Sequence, residues 1–279
     1  MLREYVAVLV ICLTTYSALA ASRKYEGIFY EVKGKGPAVV LIHGGQMDRR
    51  MWDFQFDILA KNYRVIRYDI RGFGKSDVPV RPYSQAEDLR GLLKHLAIKK
   101  ASVIGLSLGA AIATDFAILH PDSVEALVLV CPGLGGFKFE DKANDLREIV
   151  DAARDNDADR VTELWLKNPY MSVAMENPEL QPKLRELSRR NAHSWLTNPL
   201  LQRRINPPAA ERLGEIRART LAVGGGRDVS DIHKIIAKLR SEIPGAQEYT
   251  FRGCGHIVPM EAPEKFNKVV LEFLHRDRR

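Results

Sequence analysis

The feature that most constrains the fold is a repeated alternation of short apolar runs with longer segments of helical periodicity. The runs are rich in β-branched residues, and several end at glycines, as strands buried on both faces do. Parallel strands need crossover connections, so this order predicts an α/β fold with a mostly parallel, doubly wound sheet of about eight strands. The predicted strands cover residues 27–32, 38–45, 63–72, 101–107, 124–133, 219–226 and 248–256. The predicted helices cover residues 84–98, 108–120, 231–242 and 262–275.

The alternation stops between residues 134 and 212, where the sequence contains no strand-like run. Apolar residues there recur at helical spacing, as in Leu146, Ile149 and Ala153, and prolines separate the segments. The pattern predicts a helical cap inserted after the sixth strand, over residues 134–212. The α/β core would then comprise residues 21–133 and 213–279.

The first twenty residues differ from the rest. An apolar run follows the basic residue Arg3 and ends at Ala18-Leu19-Ala20, a small-x-small pattern that is typical of a cleavage site. We therefore expect residues 1–20 to be a signal peptide and the protein to be secreted or periplasmic. The alternatives are a misassigned start codon, which would leave a cytoplasmic protein, or an uncleaved N-terminal anchor. We expect no stable membrane insertion of the mature chain, because no other apolar stretch approaches a spanning length.

The formal net charge of +7 raises the question of an anionic partner. Basic residues are interleaved with acids along the chain, and no nucleic-acid-binding signature is present, so no nucleic-acid partner is expected. The sequence has no H-E-x-x-H motif and no paired C-x-x-C, and its glycine clusters lack the residues of a nucleotide site. These patterns predict an enzyme without a metal or cofactor that acts on a small molecule. The oligomeric state is left open.

Residues 105–109 read GLSLG and have the form G-x-S-x-G. A serine in a sharp strand-to-helix turn exposes its hydroxyl above the sheet edge, and the helix behind it favours negative charge. The strand-like run before Ser107 and the alanine-rich helix after it supply the required context. The motif predicts a nucleophile, although a simple small-residue turn has the same pattern.

A serine hydroxyl needs a base to accept its proton. His256 follows the last predicted strand, whereas His43 is enclosed within IHGG, so His256 is the predicted base. The carboxylate that orients it should lie between the serine and the histidine in sequence and follow a strand. Asp228 fits best. Asp231 ranks second, because capping the next helix is another role for it.

An acyl-transfer site also needs donors for the developing oxyanion. The backbone N–H of Leu108 is one predicted donor, and the N–H of Gly45 is the other. Large side chains of the cap are candidates for the substrate pocket, with core packing as the alternative role for each. These candidates are Trp165, Tyr170, Met171 and Trp195.

Five segments in order, LIHGG, RYDIRGFGKSD, GLSLG, GGGRDVSD and GCGHIVPMEAPEKF, resemble the α/β-hydrolase fold family over nearly all of residues 26–275. The resemblance is strongest to small serine esterases, enol-lactonases and haloperoxidase-like members. It implies that His43-Gly44 marks the oxyanion loop and that the helical insertion lines the substrate pocket. It also implies a structural turn formed by Asp69, Arg71, Gly72, Gly74 and Ser76.

The expected function is hydrolysis of a small ester, lactone or related carbonyl compound through an acyl-enzyme at Ser107. A serine at the elbow argues against reactions that need a carboxylate nucleophile. One alternative is C–C bond hydrolysis or perhydrolysis by the same residues. Another is a low-turnover ligand-binding receptor built on the same scaffold.

Overall fold

A computed structural model describes residues 21–275, which form one sheet flanked by helices. The sheet has eight strands in this range. They are β1 (Ala21–Tyr25), β2 (Ile28–Lys33), β3 (Ala38–Ile42), β4 (Arg64–Tyr68), β5 (Ala101–Leu106), β6 (Val124–Val130), β7 (Arg219–Gly225) and β8 (Gln247–Phe251).

The strand order is β1-β2-β4-β3-β5-β6-β7-β8. The pairs β1–β2 and β2–β4 are antiparallel, and every later pair is parallel. The predicted mostly parallel α/β sheet is therefore confirmed. All six residues of β5 are buried, which is the expected consequence of covering a parallel sheet on both faces.

Nine α-helices lie within the described range. They are α1 (Asp53–Leu59), α2 (Gln85–His95), α3 (Leu108–Leu119), α4 (Arg147–Arg154), α5 (Ala158–Leu166), α6 (Gln181–Arg190), α7 (Ser230–Glu242), α8 (Val258–Glu261) and α9 (Pro263–His275). Helix α3 packs on β5 and β6, and α2 packs against α3. Helix α1 packs on α9, and Trp52, the residue before α1, contacts Phe266. Helix α3 is buried along most of its length, which explains its small, apolar sequence.

Between the end of β6 and the start of β7 the described chain contains α4, α5, α6 and several short 3-10 turns. This segment lies where the cap is predicted. It is joined to the core by polar contacts as well as by packing. The Gln46 amide donates to Ser194 Oγ at 2.7 Å, and the N–H of Gly74 donates to Asn191 Oδ1 at 2.7 Å. The cap is thereby fixed to two core loops that border the sheet edge.

Two elements go beyond the sequence prediction. Strand β1 lies at the sheet edge and pairs only with β2, and helix α1 is short and half polar, so neither has a strong hydrophobic pattern. The predicted signal peptide lies outside the described residues, and it stays a prediction. Among the helices of residues 21–275, none is long and apolar enough to cross a membrane.

Candidate active site

Ser107 occupies a strained turn between β5 and α3. Its backbone angles are φ 52° and ψ −112°, a region that a non-glycine residue rarely adopts. The turn is held by backbone bonds: the Ser107 N–H donates to the Val130 carbonyl at 2.9 Å, and the Ser107 carbonyl accepts the N–H of Gly133 at 3.1 Å. The surroundings therefore fix the strained residue, as the G-x-S-x-G motif predicts.

The two glycines of the motif are required by close backbone approaches. A Cβ at Gly105 would lie 2.3 Å from the Gly109 carbonyl oxygen, and one at Gly109 would lie 2.3 Å from the Ile42 carbonyl oxygen. Any side chain at either position would push α3 away from the sheet. The motif thus needs glycine at both positions because the start of α3 packs directly against the ends of β3 and β5.

Asp228 and His256 meet at the carboxyl ends of β7 and β8. Asp228 Oδ2 lies 2.8 Å from His256 Nδ1, and Asp228 Oδ1 accepts the N–H of Val229 at 2.8 Å. The carboxylate is fully buried and the imidazole is 5% exposed. Because an ionised carboxylate only accepts, Nδ1 carries the hydrogen and Nε2 is left as the basic nitrogen.

The loop that carries His256 is held by Glu261, a residue that the sequence analysis left unassigned. Its carboxylate accepts the N–H of Gly255 at 2.5 Å and the N–H of Ile257 at 2.9 Å. Burial raises the pKa of Glu261, and the two backbone donors oppose that shift. The signal was present in the sequence as an acid five residues after the histidine, and in the structure it is the last residue of α8.

His43, the other strand-end histidine, has a structural role. Its Nδ1 bonds to the Gly44 carbonyl at 2.7 Å, and its Nε2 accepts the N–H of Ile70 at 2.9 Å. Both nitrogens are therefore occupied, and burial lowers the pKa of the ring. His43 joins the loop after β3 to the loop after β4.

Asp231, the alternative acid, is bonded elsewhere. Its Oδ2 accepts the N–H groups of Glu140 at 2.8 Å and Asp141 at 2.7 Å. It therefore holds the first part of the cap segment against the start of α7. The hydrogen-bond geometry favours Asp228 as the partner of His256.

The two predicted oxyanion donors, Gly45 and Leu108, border the same cavity. Leu108 is the first residue of α3, so its N–H has no acceptor within the helix. Gly45 faces open space, since a Cβ there would meet no atom within 4 Å. The next residue, Gln46, has a φ of 54°, and its bond to Ser194 fixes the loop.

The predicted structural turn surrounds Asp69. Its carboxylate accepts the N–H groups of Arg49 at 2.9 Å and Lys75 at 2.8 Å, and its carbonyl accepts the hydroxyl of Ser76. Gly72 and Gly74 both have positive φ, and a Cβ at Gly74 would lie 2.3 Å from Asp69. These contacts fix the loops beneath the cavity.

A cavity of about 300 Å³ opens between the core loops and the cap. Ser107 and His256 both line it, together with three of the predicted pocket residues, Trp165, Tyr170 and Met171. Its other side chains are mainly apolar. They include Met47, Leu106, Ile112, Leu134, Phe139, Ile232 and Ile257.

The fourth predicted pocket residue, Trp195, lines an adjoining chamber of about 600 Å³. Gly45, Leu108 and Trp165 border both spaces. The second chamber is richer in donors. The indole nitrogen of Trp195 is buried without a hydrogen-bond partner in the described part of the chain, and Arg154 and Arg204 also line the chamber.

Tyr170 connects the cap to the predicted base. Its ring lies 4.4 Å from the His256 ring, between centroids, and its hydroxyl donates to Asn144 Oδ1 at 3.0 Å. Burial raises the pKa of Tyr170 to about 12, so the phenol is neutral. The aromatic series continues through Trp165 to Trp195, with centroid distances of 6.4 Å and 5.9 Å.

One group of potential metal ligands occurs within residues 21–275. The ligand atoms of Cys131, Asp228 and His256 all lie within 4.8 Å of one another. Burial raises the pKa of the Cys131 thiol, and a protonated thiol is a poor ligand. The arrangement therefore suits acid–base chemistry better than metal binding.

Ser107, held at a strained turn, and His256, with its basic Nε2, border one cavity. The buried carboxylate of Asp228 lies behind the histidine and is bonded to its Nδ1. These parts can generate an alkoxide nucleophile. The unpaired N–H at the start of α3 can stabilise negative charge on a substrate oxygen. The arrangement is suited to attack on a carbonyl carbon.

Comparisons with known proteins agree with this chemistry. A model of the alpha/beta hydrolase family matches residues 39–269. A 2-hydroxy-6-oxo-6-phenylhexa-2,4-dienoate hydrolase of Comamonas testosteroni is 30% identical, over 89% of this chain and 91% of its own length.

Two solved structures extend the comparison. The enol-lactonase from Burkholderia xenovorans LB400 aligns with a TM-score of 0.79 at 24% identity, over 92% of this chain and all of its own, and shows the shared fold. A thermophilic esterase from Thermogutta terrifontis aligns with a TM-score of 0.74 at 26% identity, over 93% of this chain and 99% of its own. The expected resemblance is confirmed, and the chain belongs to the alpha/beta hydrolase family of hydrolases.

Proposed function

We propose that the protein is a serine hydrolase that cleaves a small carboxylic ester, lactone or related carbonyl substrate through an acyl-enzyme at Ser107. The observation that carries the proposal is that His256, bonded through Nδ1 to the buried Asp228, borders the same cavity as the strained Ser107. The proposed base is His256 and the acid that orients it is Asp228. The proposed oxyanion donors are the N–H groups of Leu108 and Gly45.

The first step is attack by Ser107 Oγ on the carbonyl carbon. His256 Nε2 takes the hydroxyl proton as the new C–O bond forms, and Asp228 stabilises the resulting imidazolium through Nδ1–H. The carbonyl π electrons move to oxygen, where the N–H groups of Leu108 and Gly45 stabilise the charge. One such donor contributes about 3 kcal/mol to transition-state stabilisation.

The intermediate then collapses. The carbon–oxygen bond to the leaving alcohol breaks, and His256 returns its proton to that oxygen. Water, deprotonated by the same nitrogen, attacks the acyl-enzyme and regenerates Ser107. Tyr170 covers one side of the imidazole, so it restricts the direction from which water can approach.

A specific observation favours C–C bond hydrolysis as a second candidate. The 30% identical relative is named as a dienoate hydrolase, and a dienoate carries a carboxylate. The second chamber offers Arg154, Arg204 and the unpaired Trp195 N–H, all of which can donate to a carboxylate. The chemistry of attack at the carbonyl would be the same, with a carbon rather than an oxygen leaving group.

The test is a substrate panel given to the wild-type protein and to Ser107→Ala. The panel contains p-nitrophenyl acetate, a small lactone, a vinylogous 1,5-diketone acid, and acetate with hydrogen peroxide for perhydrolysis. We expect sustained ester or lactone turnover that the substitution lowers by about 10⁴-fold or more.

Turnover of the diketone acid alone would replace the first candidate with C–C hydrolysis. A single slow turnover with strong ligand-induced stabilisation would instead indicate a receptor. Turnover that survives in Ser107→Ala would exclude the proposed nucleophile.

A further inference from the structure

Among the described residues 21–275, Asp115 is the only carboxylate that lines the cavity beside Ser107. It lies on α3, about 12 Å along the helix axis from Ser107, which is two helical turns. Leu108, Ala111 and Ile112 share its face of the helix and also line the cavity. Asp115 therefore marks the end of an otherwise mostly apolar wall.

The Asp115 carboxylate has no partner in the part of the chain that the structure describes. Its Oδ1 is buried without a hydrogen bond, and no side chain of residues 21–275 forms a hydrogen bond or an ion pair with the group. Arg212, which acts on it from a distance, is bonded to Glu215 at 2.8 Å. A buried oxygen of this kind destabilises the fold unless something donates to it.

Asp231 shows what a structural acid looks like in the same protein. Its side chain is fully buried, and it accepts two backbone N–H groups that hold the cap segment. Asp115 accepts no such bond, and its Oδ1 lies against Gly135, which also lines the cavity. Asp231 Oδ1 also lacks a hydrogen bond, so the difference lies in Asp231 Oδ2, which holds two backbone N–H groups, whereas Asp115 holds no described part of the chain.

The surrounding charge restricts what Asp115 can bind. Burial raises the pKa of Asp115 to about 6, while Arg204 and Arg212 oppose the rise. The carboxylate is therefore ionised at neutral pH and accepts a strong, charge-assisted hydrogen bond. Arg204 lines the cavity as well, so a cationic ligand group would meet repulsion there.

We propose that Asp115 is a specificity-determining residue that accepts a hydrogen bond from a neutral donor, a hydroxyl or an amide N–H, on the part of the substrate farthest from the attacked carbonyl. The proposal rests on the proposed function, because Ser107 defines which carbonyl is attacked. It narrows the substrate class to esters or lactones whose acyl portion carries a polar donor near its end.

The first experiment compares p-nitrophenyl esters of straight-chain acids that end in a methyl, a hydroxyl or an ammonium group, at several chain lengths. At one length we expect the hydroxyl ester to exceed the methyl ester about tenfold in kcat/KM, mainly through KM, and the ammonium ester to gain nothing. Asp115→Leu should remove the preference, so that the hydroxyl and methyl esters have similar kcat/KM. Asp115→Asn, whose amide oxygen still accepts, should keep part of it.

Asp122→Leu is the matched control, since Asp122 is 95% exposed and does not line the cavity. It should leave every preference intact. Equal preference in wild-type and Asp115→Leu proteins, or a wild-type preference for the methyl ester at all lengths, would overturn the proposal.

A binding measurement separates this proposal from the proposed function. Methyl ketones that end in a hydroxyl or a methyl group are titrated calorimetrically into Ser107→Ala and into Ser107→Ala/Asp115→Leu. We expect about tenfold tighter binding of the hydroxyl ketone, lost in the double variant. If esters are not turned over but this difference appears, only the proposed function fails; if it is absent, the Asp115 proposal fails even where esters are cleaved.

Discussion

The sheet edge and the cap contribute to the site in different ways. At the sheet edge, backbone geometry sets each position: Ser107 is strained, Gly105 and Gly109 touch neighbouring carbonyls, and Asp228 is bonded to His256. The cap contributes side-chain surfaces, such as Trp165 and Tyr170, held by packing. The comparison teaches that backbone geometry fixes the proposed reacting groups at the edge, whereas the cap supplies side-chain surface around the cavity.

The largest effect should separate two acids that lie close together in sequence. Asp228→Ala should lower kcat by about 10⁴-fold, because the imidazole loses the partner that fixes its tautomer. Asp231→Ala should leave kcat within a few-fold and lower the free energy of unfolding by about 1–3 kcal/mol, since two N–H groups lose their acceptor. Steady-state kinetics and urea unfolding measure both. The reverse pattern would make Asp231 the orienting acid.

A second pair of substitutions tests whether the edge is more tightly packed than the border of the cap. Gly109→Ala should destabilise the fold by about 3 kcal/mol or more, because its Cβ would lie 2.3 Å from the Ile42 carbonyl oxygen. Gly135→Ala is the control, since its Cβ would meet only Asp115 Oδ1, at 3.8 Å. Thermal unfolding of the two variants gives the comparison. Similar melting temperatures would contradict the packing argument.

Substitution in the cap should change selectivity more than rate. Trp165 lies in the wall shared by the two chambers, and Trp165→Leu enlarges the space on both sides of it. Esters with bulkier acyl groups should therefore gain about tenfold in kcat/KM relative to acetate. Turnover of p-nitrophenyl acetate should change less than about threefold. Tyr170→Phe keeps the ring beside His256 and serves as the control. A large loss of p-nitrophenyl acetate turnover in Trp165→Leu would show that the cap contributes to the rate of the reaction as well as to selectivity.

The smallest effect concerns pH and stability. Burial raises the pKa of Asp115 to about 6, so the carboxyl loses its proton at lower pH in the unfolded state than in the folded state. The free energy of unfolding therefore falls as the pH rises towards 6 and stays lowered above it. Asp115→Leu should therefore raise the free energy of unfolding by about 1–2 kcal/mol at pH 7, a gain that shrinks as the pH falls from 6 towards 4. Denaturant unfolding across that range tests the sign. A gain that grew on acidification would contradict the raised pKa.

Much of the core could be predicted because its signals are local. The alternation of apolar runs with helical segments predicts a mostly parallel sheet. The spacing of the two glycines around Ser107 predicts the turn that carries it. The antiparallel edge strand β1 and the short helix α1 carry no comparable pattern. Glu261 and Asp115 were not identified from the sequence, because whether an acid accepts a backbone N–H or borders a cavity depends on the folded positions of the groups around it.

The cap shows the same limit more strongly. Its helical character follows from periodicity, but which side chains face the cavity depends on tertiary packing. Trp165, Tyr170 and Met171 line the space beside Ser107, whereas Trp195 lines the adjoining chamber. Nothing in the spacing of these four residues distinguishes the two positions.

The central claim is that Ser107 is the nucleophile, and covalent labelling tests it most directly. The wild-type protein is treated with a fluorophosphonate probe, and the modified peptide is identified by mass spectrometry. We predict a single modification at Ser107 that is absent from Ser107→Ala and retained in Ser102→Ala, which alters a buried serine of β5. Modification at another residue, or no modification of folded wild-type protein, would contradict the account.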